Sequence, residues 1–159
     1  MESDDVVVKP NIARARTLAR KLLKDAGVSV VPVSLVKVID HLEPLHNLQV
    51  MRLPLGDNLA GLLVTIDERP TIGFNSEQAW VRRRFTIAHE IGHLLMDHLC
   101  GGTRTYAEQE ANSFAAELLI PLALIRADFA ATPDVETLAK KYVVSREALC
   151  RHLMECRVL

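Results

Sequence analysis

The chain has 159 residues, 49% of them hydrophobic, 25% charged and 4% aromatic, with a formal net charge of -1. A chain of this length buries roughly 70% of its unfolded surface, so a single core is expected. The near-neutral charge argues against a protein built chiefly to grip phosphate backbones, and the composition excludes disordered and fibrous classes.

The first ten residues, MESDDVVVKP, read as a flexible tail ahead of one domain over 11–159. This start is acidic where a secretion signal would be basic. The apolar stretch VSVVPVSLVKVI is broken by Pro32, Ser34 and Lys37, so no membrane span is expected. From Asn11 to Ala26, Ile12, Ala15, Leu18, Ala19, Leu22 and Leu23 recur at helical spacing and Gly27 stops the run. Ser34 offers an N-cap for a second short helix that should end before Pro44. The period then changes. NLQVMRL (47–53), LAGLLVTI (59–66) and PTIGFN (70–75), separated by PLGDN and DER, read as turn-linked strands. Helical spacing returns over 77–98, 105–120, 122–129, 133–141 and 146–156. With its strands in one block the chain reads as α+β: a small three-stranded sheet packed on a mostly helical core.

The last two of these helical stretches form a helix, turn and helix over 132–156, with Thr132 and Ser145 as caps and Pro133 at the first helical position. It resembles half of a DNA-binding helix-turn-helix. Its second helix offers a groove only Arg146, Arg151 and His152 against Glu147 and Glu155, which favours a packing unit over a DNA reader. Arg82, Arg83 and Arg84 point about 100° apart on a helix and form no flat patch. No direct binding of nucleic acid is expected. Cys100, Cys150 and Cys156 are odd in number and lack CxxC spacing, which suits reduced thiols in a cytoplasm.

The stretch RRRFTIAHEIGHLLMD (82–97) carries the chemistry. At about 100° per residue, His93 falls about 40° from His89, Asp97 about 80° and Glu90 about 100°, so the polar groups share one face. The opposite arc holds Trp80, Val81, Ile87, Ala88, Ile91, Leu94 and Leu95. Histidines at i and i+4 reach one zinc ion, and the glutamate between them is placed to act on the attacking water. With six histidines in the chain, a random HExxH match is expected only roughly 0.015 times. Gly92 costs about 1 kcal/mol in a helix interior, so something must approach the backbone there.

A catalytic zinc needs a third protein ligand and an open position. The next helix follows a glycine turn, CGGT, and Thr105 with Glu108 reads as its capping box. Taking Glu110 as reference, Glu117 lies about 340° round and Glu108 about 160°, on the reverse side. Geometry leaves Glu110 and Glu117 open. Tyr106, on the face of Glu110, is a candidate oxyanion donor.

RRRFTIAHEIGH followed by EANSFAAELLIP resembles the ImmA/IrrE family of zinc metallopeptidases, whose pattern is RxFTxAHExGH and then EANxFAAxLLxP. LPLGDNLAGLLV, TIGFNSEQ and LAKKYVVSREAL extend the likeness to roughly residues 30–153. The resemblance implies a zincin-like fold and one Zn2+ per chain, held by His89, His93 and Glu110, with Glu90 as general acid and base. It also implies a regulatory protease whose protein substrate is a specific partner, typically a helix-turn-helix transcriptional repressor. The competing expectation is a zinc-bearing binding module that sequesters a repressor without cutting it. One departure is visible: family members often carry a further histidine four residues after the second ligand, where this chain has Asp97 with His98 next, and both are candidates for a supporting role beside the metal.

Overall fold

The computed structural model describes residues 9–98 and 104–159. The first eight residues of the expected tail, and the glycine turn with Cys100, lie outside them. The elements run α1 (Ile12–Asp25), α2 (Leu35–His46), β1 (Gln49–Leu53), β2 (Gly61–Ile66), β3 (Arg69–Asn75), α3 (Trp80–Leu95), α4 (Arg104–Leu119), α5 (Leu122–Ala131), α6 (Val135–Tyr142) and α7 (Arg146–Glu155). The class is α+β. No described helix is long and apolar enough to cross a membrane.

Local chemistry explains most boundaries. Asn11 caps α1 by accepting from the Arg14 amide at 3.0 Å, and Ser145 caps α7 by accepting from Ala148. Two expectations fail. Helix α2 runs through Pro44 to His46, because a proline in the last turn removes only one terminal hydrogen bond and the left-handed Asn47 closes the helix behind it. Helix α6 is capped by Asp134, whose carboxylate accepts from the Glu136 amide and the Thr137 hydroxyl. Thr132 instead ends α5, and Pro133 stands ahead of the cap rather than in the first turn.

The sheet order is β1-β3-β2, with β1 parallel and β2 antiparallel to β3. Asp67 and Glu68, both with positive φ, form the tight two-residue link between β2 and β3. Central β3 buries Thr71, Ile72 and Asn75. The Asn75 carboxamide donates to the carbonyls of Gly56 and Leu59 and accepts from the Glu77 amide, which ties the loop before β2 to the start of α3. Strand β2 is left as an edge, with Val64 and Ile66 exposed.

Helix α3 is covered by the sheet and by α4, and Arg84, Thr86 and Glu90 are buried along with Ile87, Ala88 and Ile91. The one-sided burial expected from its periodicity therefore gives way to near-complete enclosure, while Trp80, expected inside, is 62% exposed. Enclosure on two sides is possible because small residues lie where neighbours cross. A β-carbon on Gly92 would stand 3.0 Å from Phe114 of α4, and one on Gly61 of β2 would collide with Thr86. Phe114 is thus the group whose approach Gly92 permits. Arg84 donates to the carbonyls of Val33 and Val143, fastening α3 to two distant loops, and Arg83 donates to the carbonyls of Ser76 and Gln78. Both serve the fold. The C-terminal pair is a packing unit: Leu138, Ala139, Tyr142, Leu149 and Leu153 join the common core.

Candidate metal centre

Three side chains from two helices converge at the C-terminal half of α3. His89 and His93 stand one turn apart, with their Nε2 atoms 3.0 Å from each other. Glu108, in the second turn of α4, places Oε2 3.1 Å from His89 Nε2 and Oε1 2.9 Å from His93 Nε2. Among the described residues these three form the group of histidine and carboxylate side chains whose donor atoms could share one ion.

Hydrogen bonds behind the ligands set which nitrogen faces the centre. The Nδ1 of His89 is 2.8 Å from Asn112 Oδ1, an acceptor, so His89 carries its proton on Nδ1. Behind His93 the chain is longer. Glu110 Oε2 lies 2.8 Å from His98 Nε2, and His98 Nδ1 lies 2.8 Å from His93 Nδ1. A carboxylate accepts, so His98 donates from Nε2, accepts on Nδ1 and leaves the His93 proton on Nδ1. Both ligand imidazoles then present bare Nε2 lone pairs to each other and to a carboxylate about 3 Å away. Three such electron-rich groups repel unless a metal cation or a proton lies between them, and two imidazoles with one carboxylate are a set that can bind zinc at an open catalytic site. Burial and the neighbouring His89 hold His93 below the ordinary histidine pKa, in the neutral form that a ligand requires.

Glu90 follows His89 on the flank of α3 toward the sheet and is 9% exposed. Gly61 of β2 stands alongside it, where an added β-carbon would be in ordinary contact at 3.7 Å from Glu90 Cγ. Burial, and then the nearby charge of Glu108, push its carboxyl up to about 7.

The other expected residues are placed differently. Glu110 is not brought to the histidine pair. It accepts from the Asn11 amide at 2.9 Å as well as from His98; burial opposes its ionisation, and these two donors outweigh burial and keep it below the ordinary carboxylate range. Glu117 is buried at the far end of α4, 2.9 Å from Arg20 and 3.2 Å from His152. Asp97 is exposed in a left-handed conformation just past α3. Tyr106 is half-buried in the first turn of α4 and makes no hydrogen bond to the histidines or glutamates among the described residues. The expected capping box is absent because α4 starts at Arg104, which leaves Glu108 free to turn inward.

Sequence reasoning did not place Glu108 and Asn112 beside the histidine pair, where the structure brings them. Their signal is spacing: they stand four residues apart on α4, about 40° round, beside Ala111 and Ala115. Ala111 and Ala115 are fully buried, and Glu108 and Asn112 flank that stripe on α4.

The sequence model described as the IrrE N-terminal-like domain, of a peptidase family, matches residues 45–154. Among curated proteins none matches this sequence. A solved structure described as a Mycobacterium tuberculosis transcriptional regulator superimposes with a TM-score of 0.73 at 15% identity. The match covers 89% of this chain and 46% of that one, so this chain spans about half the regulator's length and the likeness is one of fold.

Proposed function

Because this chain belongs to the peptidase family of the IrrE N-terminal-like domain, we propose that it is a zinc-dependent endopeptidase whose ion is held by His89, His93 and Glu108, with Glu90 as the general acid and base. The observation that carries this reading is the triangle of two Nε2 lone pairs and one carboxylate, with Glu90 beside it. Glu108 replaces Glu110 in the ligand set that the family resemblance suggests. Asn112 and His98 hold the two imidazoles in the required tautomer, and Glu110 holds His98.

Zinc there would supply Lewis acidity toward a water and a peptide carbonyl. Glu90 accepts the proton of the attacking water and hands it to the leaving amine, so no proton has to cross solvent. Its enclosure against β2 keeps bulk water away and raises its basicity toward the range in which such a transfer is efficient. An extended peptide laid along the free edge of β2 would make main-chain hydrogen bonds and pass over Gly61, next to Glu90.

The substrate in this reading is a specific protein, such as a helix-turn-helix transcriptional repressor. A cytoplasmic setting belongs to the same proposal, and the free thiols of Cys150 and Cys156 suit it. The alternative, a module that binds a repressor without cutting it, has no use for a buried glutamate beside the ligands. The deciding experiment incubates zinc-loaded protein with the repressor encoded nearest its gene and looks for fragments by mass spectrometry. Glu90→Gln should retain zinc and partner binding and lose cleavage by at least about a hundredfold, since the amide cannot take the proton. Partner release without fragments from the unaltered chain would favour the binding module.

A further inference from the structure

One turn toward the N-terminus of α3 from His89, a cavity of about 1060 Å³ opens between α3, α4, the start of α1 and the face of α7. None of His89, Glu90, His93 and Glu108 lines it. Val81, Phe85, Ala116 and Ala148 give it an apolar wall. Its size is slightly above the range of about 300–1,000 Å³ that small-molecule sites occupy, and far exceeds what a lone inorganic ion needs.

The charged part of the wall carries more arginine than carboxylate. Arg16, Arg82 and Arg151 line the cavity together with two carboxylates, Glu147 and Glu155. Both carboxylates are engaged: Glu147 with Arg151 at 2.8 Å, Glu155 with Arg16 at 3.5 Å. Arg82 is exposed and pairs with no carboxylate among the described residues, and Arg16 Nε is buried without a hydrogen-bond partner. The N-cap of α3 at the same wall is Ala79, which offers no side-chain acceptor to the first-turn amides. An excess of cationic donors suits an acceptor-rich, negatively charged group, and the apolar remainder suits a hydrophobic body.

Asn112 connects this cavity to the candidate metal centre, because the carboxamide that lines it also accepts from His89 Nδ1 at 2.8 Å. We propose that the cavity binds a small anionic molecule with an apolar body, and that its occupancy is coupled to the metal centre through Asn112. The coupling rests on the zinc reading above; the binding site does not. A ligand that shifts Asn112 alters how firmly His89 is aimed, and reciprocity requires zinc to change the ligand's affinity by the same factor.

The test uses 1-anilinonaphthalene-8-sulfonate, an apolar anion, and its uncharged analogue N-phenyl-1-naphthylamine as fluorescent probes of the full chain. Zinc-free protein should bind the sulfonate at one site per chain, at least about tenfold more tightly than the neutral dye, and Arg82→Ala should erase most of that preference. Ala148→Trp should weaken sulfonate binding at least about tenfold with an unchanged circular dichroism spectrum, and Ala116→Phe fills the same space if that variant melts early. Saturating sulfonate should shift zinc affinity, read by chelator competition, by at least about threefold, and Asn112→Ala should abolish the shift. Absence of sulfonate binding, or undiminished binding in both filled variants, would overturn the site. Equal affinity for the neutral dye would overturn its anionic character, and binding with no zinc shift would overturn the coupling. Failure of the chain to take up zinc would count against the metallopeptidase reading and leave the dye measurements to judge the cavity alone.

Discussion

Two glutamates of α4 only two positions apart have opposite surroundings. Glu108 faces α3 and is half exposed, with each oxygen about 3 Å from a histidine imidazole, while Glu110 faces α1 and ends on the Asn11 amide and His98. A ligand and a positioning residue differ in what their loss does. Glu108→Gln should lower zinc affinity by at least about a hundredfold, because a neutral amide replaces a charged ligand, whereas Glu110→Gln should lower it by about tenfold through looser aiming of His93. Chelator competition on the two proteins measures both values, and the reverse ranking would return Glu110 to the ligand set. Glu108 escapes a reading of the sequence because a capping box explains it equally well. The choice between cap and ligand depends on where the helix begins, which neither residue type nor periodicity fixes to within a residue or two.

At the level of the elements, the crossing of α3 and α4 positions the chemistry, and Gly92 permits it. Phe114 is fully buried, so it has little room to yield to a new β-carbon 3.0 to 3.2 Å from its side-chain atoms. Gly92→Ala gains about 1 kcal/mol of helix propensity but incurs an overpacking cost of about 1–3 kcal/mol. The variant should be less stable by about 1 kcal/mol in urea titrations, and Phe114→Leu added to it should recover part of the loss. A Gly92→Ala protein more stable than its parent would show that Phe114 can move aside. The elements themselves are legible from periodicity, and the strand block and the HExxH helix fall close to their expected spans. The enclosure of α3 is not legible, because Thr86, Glu90 and Arg84 read as polar and are buried only through partners on β2, β3 and the distant loops at Val33 and Val143.

For the molecule as a whole, the C-terminal pair cannot be separated from the rest. Besides its core leucines, α7 brings His152 to Glu117 of α4, which also holds Arg20 of α1 and the Leu122 amide. A chain truncated after Ala131 should lose its cooperative thermal transition, since it exposes that carboxylate and the core around it. Burial raises the Glu117 pKa, but His152, Arg20 and the Leu122 amide outweigh burial and leave it below its ordinary value. A carboxyl whose folded pKa is depressed contributes stability that is present above its unfolded pKa and lost as pH falls through the folded value. Glu117→Gln should therefore cost about 3 kcal/mol at neutral pH, and the difference from the parent should shrink below about pH 4.5. A gap that stays constant through acid would mean that Glu117 is not the ionised partner. The sequence by itself determined the α+β order, the HExxH helix with its two histidines and glutamate, and the family, because helical period, strand alternation and motif spacing are properties of neighbouring residues. Only the tertiary structure decided that the Glu108 face of α4, and not the Glu110 face, meets the histidines. Both faces of α4 carry carboxylates and α4 packs against both α3 and α1, so the choice depends on contacts between residues far apart in the chain, which no local period records.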